Sequence, residues 1–181
     1  QSASSGGQGQ GDLNSKIKII KIDADNNQTK LKGAVFKITS KADGKSFELT
    51  TDTNGEAISE KLIAGQYTIE EVTPPKGFNK NGNKYTVTVT TGGAAIQTVT
   101  NERIKTNIEV TKTWVGPKKD SVTVKLFEND KPTNKTLVLK ASENYKGKFE
   151  GLPKYDLEGN EIKYTIKEDV PEGYSENITG N

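Results

Sequence analysis

The chain has 181 residues, of which 30% are hydrophobic and 28% charged, with a formal net charge of +2 and neither histidine nor cysteine. That length with so small an apolar share suits two modest cores, and interspersed charges of both signs offer no face for nucleic acid or an anionic membrane. Without His or Cys the chain cannot build a Ser-His-Asp triad, a Cys-His pair, a conventional zinc site or a disulfide, and no apolar run approaches the roughly 20 residues of a membrane-spanning helix. Residues 1–13, QSASSGGQGQGDL, are small and polar and read as a flexible linker. From Lys16 onward the runs KIKIIKI, GAVFKIT, KSFELTT, GQYTIEEV, KYTVTVTT and AIQTVTN alternate as β-strands. The turn signals DADNN, DTNG, PPKG, NKNGN and TGG separate them. Short strands at this spacing predict an all-β sandwich over residues 14–103. The one helical candidate is a short turn around ISEKLIAG.

The pattern then restarts. Over residues 104–181 the runs NIEVTKTW, SVTVKLFEN, KTLVLKA, GKFEGL and EIKYTIKED form a second series that is weakly like the first. Each series opens on apolar-x-apolar-x-Lys, as Ile17-x-Ile19-x-Lys21 and Ile108-x-Val110-x-Lys112. Each later carries Tyr-x-Ile-x-Glu, ending on Glu71 and Glu168, and then a Pro-x-Gly-aromatic turn, PKGF and PEGY. A domain-sized internal repeat predicts two sandwiches in tandem. No strand-like alternation ending in Asn follows Glu168, so the second unit is expected to lack its last strand.

The repeat also gives meaning to an oddity of phase. Lys21 and Lys112 both fall on the apolar face of their strands, as do Glu71 and Glu168 on theirs. Two buried ion pairs make a weak structural explanation, because such pairs add little stability over apolar packing. Chemistry explains them better. Desolvation favours neutral amine and neutral acid, and a neutral amine is a nucleophile while a carboxyl shuttles protons. An Asn or Asp side chain held against the amine would supply the electrophile, and fixed proximity can replace a large part of the barrier. The product is a Lys–Asn amide with release of ammonia, a cross-link that needs no cysteine. In the first unit Asn101 ends the strand AIQTVTN in phase with Val99, whereas Asn26, Asn27, Asn54, Asn81 and Asn83 sit in turn clusters where asparagine serves the backbone. In the second unit Asn177 and Asn181 are the late candidates, Asn181 being the one able to reach Lys112 if drawn back across the core. Trp114 shares the face of Lys112 and reads as core packing. DADNN starts like an acidic calcium loop but has Gln28 where the loop glycine belongs and Ala34 at the twelfth position. Lys118 and Lys119 read as a solvated turn. No metal or cofactor is expected.

At these residues the chain resembles tandem CnaB-type domains of Gram-positive surface proteins, the modules of pilins and collagen-adhesin stalks. The resemblance rests on KIIKIDAD, LKGAVFKI, GQYTIEEVTPPKGF and TVTN in the first unit, and on IEVTKTW and FEGLPKYDLEGNEIKYTIKEDVPEGY in the second. It implies prealbumin-like, inverse-immunoglobulin sandwiches with Lys21 joined to Asn101 under catalysis by Glu71, and with Lys112 and catalytic Glu168 as the corresponding pair. It further implies an extracellular, cell-wall-anchored structural segment, a stalk or minor pilin, whose partners are other domains of the same surface protein or pilus. Binding of a host extracellular-matrix protein by the domains themselves is the alternative. Turnover catalysis is not expected, the only chemistry being a single self-modification. Neither the Tyr-Pro-Lys-Asn polymerisation segment nor the Leu-Pro-x-Thr-Gly sorting signal of such proteins is in the sequence, which argues against a complete major pilin.

Overall fold

The computed structural model describes residues 12–168 and 178–180, so the linker expected at residues 1–13 lies outside them but for its last two residues. The chain divides into two compact units, one ending at Ile104 and the other beginning at Lys105. The first unit has eight strands: β1 (Ile17–Asp23), β2 (Asn26–Lys30), β3 (Val35–Ser40), β4 (Ser46–Thr50), β5 (Glu56–Ile58), β6 (Gly65–Thr73), β7 (Lys84–Val89) and β8 (Ala95–Asn101). One sheet has the order β4-β3-β6-β7; in the other, β1 pairs with β2, β5 and β8. Every pairing is antiparallel except that of β8, which runs parallel to β1 from Ile17↔Ala95 to Asp23↔Asn101. The inward faces supply the core: Ile17, Ile19, Ala57, Ala95 and Val99 from one sheet, Phe36, Ile38, Tyr67, Ile69 and Val89 from the other.

Two local expectations fail here. The ISEKLIAG segment forms no helix. Its backbone is spent on the strand beside it: Ser59 N–H donates to Ile17 O at 2.9 Å, and Ile17 N–H donates to Ser59 Oγ at 2.9 Å. Asn26 and Asn27 belong to β2 rather than to the turn, which closes instead with Asp23 opposite Asn26. The Asp52-to-Gly55 turn does form as its residues suggest. Asp52 Oδ1 accepts from Asn54 N–H at 2.9 Å and Glu56 N–H at 3.0 Å, and Gly55 takes φ +71°, which a side chain would resist.

The second unit repeats the plan with β9 (Lys105–Lys112), β10 (Ser121–Glu128), β11 (Lys131–Lys140), β12 (Lys146–Pro153), β13 (Tyr164–Glu168) and β14 (Ile178–Gly180). Its sheets are β12-β9-β14 and β11-β10-β13, enclosing Ile108, Val110, Val122, Val124, Leu126, Leu139, Phe149 and Leu152. β9 stops at Lys112, so Trp114 lies beyond the strand and only partly buried, though its ring still packs on this core. The place that β8 fills in the first unit is held by β14. It runs antiparallel to β9 and pairs with three of its residues, Ile178 with Lys112, Thr179 with Thr111 and Gly180 with Val110. The last strand expected to be missing is thus represented by a short, reversed one, because the outer edge of β9 offers unpaired backbone groups to any chain that returns to it.

Candidate functional site

Lys21 is brought inside by phase. In β1, residues 17, 19, 21 and 23 all point to the core, and Lys21 is 0% exposed. The Asp52-to-Gly55 turn closes against its backbone: Lys21 N–H donates to Gly55 O at 2.7 Å, and a Cβ at Gly55 would lie 2.6 Å from Lys21 O. That approach requires glycine. Nζ donates to Val99 O at 3.0 Å, lies 3.6 Å from Glu71 Oε2, and stands 5.9 Å from the centre of the Phe36 ring. Burial pushes the Lys21 amine down to about 8, against the opposing pull of the Glu71 carboxylate. On the order of a tenth of it is then free amine at pH 7.

Glu71 comes from β6, where Tyr67, Ile69 and Glu71 are the inward residues and Glu71 pairs with Phe36 across the sheet. Its carboxylate divides its attention. Oε2 faces Lys21, while Oε1 accepts from Asn101 Nδ2 at 2.8 Å and from the Asn81 backbone N–H at 2.7 Å. Asn101 is 2% exposed at the end of β8, on the inward face that also carries Val99. Its Nδ2 makes a second donation to Asn79 O at 2.7 Å. Two buried oxygens, Glu71 Oε2 and Asn101 Oδ1, have no hydrogen-bond partner. Buried acceptors are rarely left so. Lys21, Glu71 and Asn101 therefore meet in one buried cluster.

The sequence reading missed Asn79 and Asn81. Asn81 stands among the turn asparagines, and NKNGN does form a loop, but that loop folds back over the end of β6 onto the carboxylate. A cavity of about 250 Å³ opens above, lined among others by Asn79, Asn81, Asn83 and Asn101.

In the second unit Lys112 and Glu168 also meet. Lys112 Nζ donates to Glu168 Oε1 at 3.1 Å, with the two side chains 1% and 0% exposed. Glu168 stands opposite Val124 on β10, as Glu71 stands opposite Phe36 on β3. The aromatic partner changes accordingly: Lys112 Nζ lies 5.0 Å from the Trp114 ring, which meets Tyr145 edge-on at 5.2 Å. Lys112 also lines an open groove of about 680 Å³ with Trp114, Lys118 and Tyr145. Asn177 and Asn181 lie outside the described residues.

Residues 15–103 match the family of SpaA prealbumin-like fold domains and residues 108–181 that of Cna protein B-type domains. Among curated proteins, the collagen adhesin of Staphylococcus aureus is 29% identical over 200 aligned residues, covering 94% of this chain and 17% of the relative. The trypsin-resistant surface T6 protein of Streptococcus pyogenes serotype M6 is 32% identical over 91 residues, covering 50% of this chain and 17% of its own. Among solved structures, the Bacillus anthracis TIE protein superposes with a TM-score of 0.68 at 28% identity, covering 92% of this chain and 31% of that one. The chain thus spans less than a fifth of the length of these curated relatives.

Proposed function

For a chain that belongs to these families, a SpaA prealbumin-like domain followed by a Cna protein B-type domain, we propose the role of a stalk segment in a Gram-positive surface protein, with a first domain locked by an amide bond between Lys21 and Asn101. The reading places the segment outside the cell, in line with other domains of the same surface protein or pilus. The observation that carries the cross-link is one carboxylate, Glu71, lying between an amine and an amide, all three buried.

The chemistry balances without any added reagent. The Lys21 ammonium passes a proton to Glu71, and the free Nζ attacks Asn101 Cγ. A C–N bond forms, the Cγ–Nδ2 bond breaks, and the nitrogen leaves as ammonia after gaining the proton that Nζ gives up. Oε2 faces the nitrogen that must lose protons, and Oε1 faces the one that must gain them. Burial leaves Nζ partly neutral, and packing holds it by the same carboxylate that its target donates to. Such a bond turns over once. It suits a protein without cysteine whose work is to bear load.

Intact mass spectrometry tests this directly. The chain is expected to weigh one ammonia less than its sequence, and a tryptic digest to contain a branched peptide joining β1 to β8. Glu71→Ala should keep the fold and the full mass. An unmodified mass for the parent chain would remove the proposal. Lys112 and Glu168 hold half of the same arrangement, for which Asn181 is the candidate electrophile; a loss of two ammonias would report that second bond.

A further inference from the structure

The loop over residues 79–83 is tied down more firmly than a β6–β7 connection needs. Asn81 Nδ2 donates to Thr100 O on β8 at 2.8 Å and to Tyr85 Oη on β7 at 3.1 Å, while its Oδ1 accepts from Asn83 N–H at 2.8 Å. Asn79 N–H donates to Glu102 O at 2.8 Å. So anchored, the loop presents two backbone groups to the buried site: Asn81 N–H to Glu71 Oε1 and Asn79 O to Asn101 Nδ2. A carboxamide can rotate about its last torsion and present either oxygen or nitrogen to a neighbour. Asn101 cannot do so freely. Asn79 O and Glu71 Oε1 are both acceptors, so both demand Nδ2, and Oδ1 is turned away from them.

We infer that Asn81 is a positioning residue for cross-link formation: by pinning the 79–83 loop it holds the Glu71 carboxyl and turns the leaving nitrogen of Asn101 toward the asparagine-lined cavity. The inference rests on the proposed Lys21–Asn101 bond and adds who orients the electrophile and where the ammonia goes. The cavity of about 250 Å³ contains Asn101 and the loop in its walls and is ample for a molecule the size of water. Asn81 reaches the site through Glu71 Oε1 and, by way of the loop's Asn79 O, through Asn101.

The test follows ammonia loss by intact mass after cell-free synthesis of the full chain, quenched in acid at intervals across a range of pH. The parent chain and the variants Asn81→Ala and Tyr85→Phe are compared, with circular dichroism reporting the fold. Asn81→Ala is expected to form the bond at least about tenfold more slowly, in keeping with the sensitivity of such reactions to small misplacements. The titration midpoint that Lys21 sets near 8 should stay where it is. Tyr85→Phe, which removes one of the two acceptors of Asn81 Nδ2, should slow the reaction less. Asn81→Ala reacting at the parent rate overturns the inference. So does slow reaction with the midpoint moved up toward that of an ordinary lysine, since that marks a loosened, hydrated core rather than a misdirected amide. If Asn81→Ala does not fold, Tyr85→Phe decides: a slower reaction with an unmoved midpoint supports the inference, and the parent rate overturns it. A parent chain that loses no ammonia defeats the cross-link proposal itself, a result separate from any of these.

Discussion

The two units hold the same buried lysine–glutamate pair and differ in what reaches it. In the first, β8 runs beside β1 for seven residue pairs and delivers Asn101 to the carboxylate. In the second, β14 lies antiparallel on three residues of β9. Lys112 sits 3.1 Å from Glu168, and Lys21 lies 3.6 Å from Glu71, whose carboxylate also accepts from Asn101 and Asn81. A lysine and a glutamate facing each other across a core are therefore only the common part of the arrangement. In the first unit the amide arrives on the last strand, through that unit's pairing with the longest sequence separation.

The comparison is most exposed at the level of stability. A bond from residue 21 to residue 101 closes a loop of about 80 residues, worth about 4 kcal/mol by analogy with a disulfide of that span. For a domain of this size that is on the order of 20 °C in melting temperature. Calorimetry of the parent chain should show the first unit melting well above the second, and Asn101→Ala should bring its transition down while leaving the other in place. An unchanged first transition would mean that the two units are alike after all.

Next in size is the ion pair that both share. Lys112→Ala leaves the Glu168 carboxylate buried without its ammonium and should cost the second unit about 3 kcal/mol in denaturant unfolding. Replacing the pair together, Lys112→Met with Glu168→Leu, should recover most of that loss. If the double replacement is as damaging as the single one, the pair is a stabilising element in its own right.

The unlinked first unit should also respond to pH in a way fixed by Lys21. Its amine is held near 8 against an ordinary 10.5. Below pH 8 it is charged in both folded and unfolded chains, and the folded state bears the whole cost of a buried ammonium. Between 8 and 10.5 the unfolded chain binds a proton that the folded chain does not, so stability rises with pH; above 10.5 it levels off. In the Asn101→Ala variant, melts across this range should gain up to about 3 kcal/mol. A fall in the first unit's stability over that window would contradict the depressed amine. A smaller effect is expected at the turn beneath the lysine. Gly55→Ala meets Lys21 O at 2.6 Å in a left-handed conformation and should cost about 2 kcal/mol, confined to the first unit's transition.

Much of this was legible in the residues. Alternation alone put Lys21, Glu71, Asn101, Lys112 and Glu168 on inward faces, and all five are buried. It failed where local signals were shared between outcomes. Asn26 and Asn27 suit a turn as well as they suit β2, and Trp114 kept the phase of a strand that had already ended at Lys112. ISEKLIAG lost any helical turn because the Ser59 N–H and hydroxyl are taken up by the backbone of Ile17 on the strand beside it.

What the sequence determined by itself was the period-two placement of charged groups in apolar strands and the repeat that made two of them a pattern, since side-chain direction along a strand depends on nothing beyond that strand. The tertiary structure alone decided that Asn81, one turn asparagine among several, would hold the Glu71 carboxyl, and that the strand returning to β9 would run opposite to β8. Both outcomes depend on which distant segments the fold brings to one sheet edge. Residues 81 and 71 meet only because the loop folds back between β6 and β8, and an unpaired edge accepts a chain in either direction.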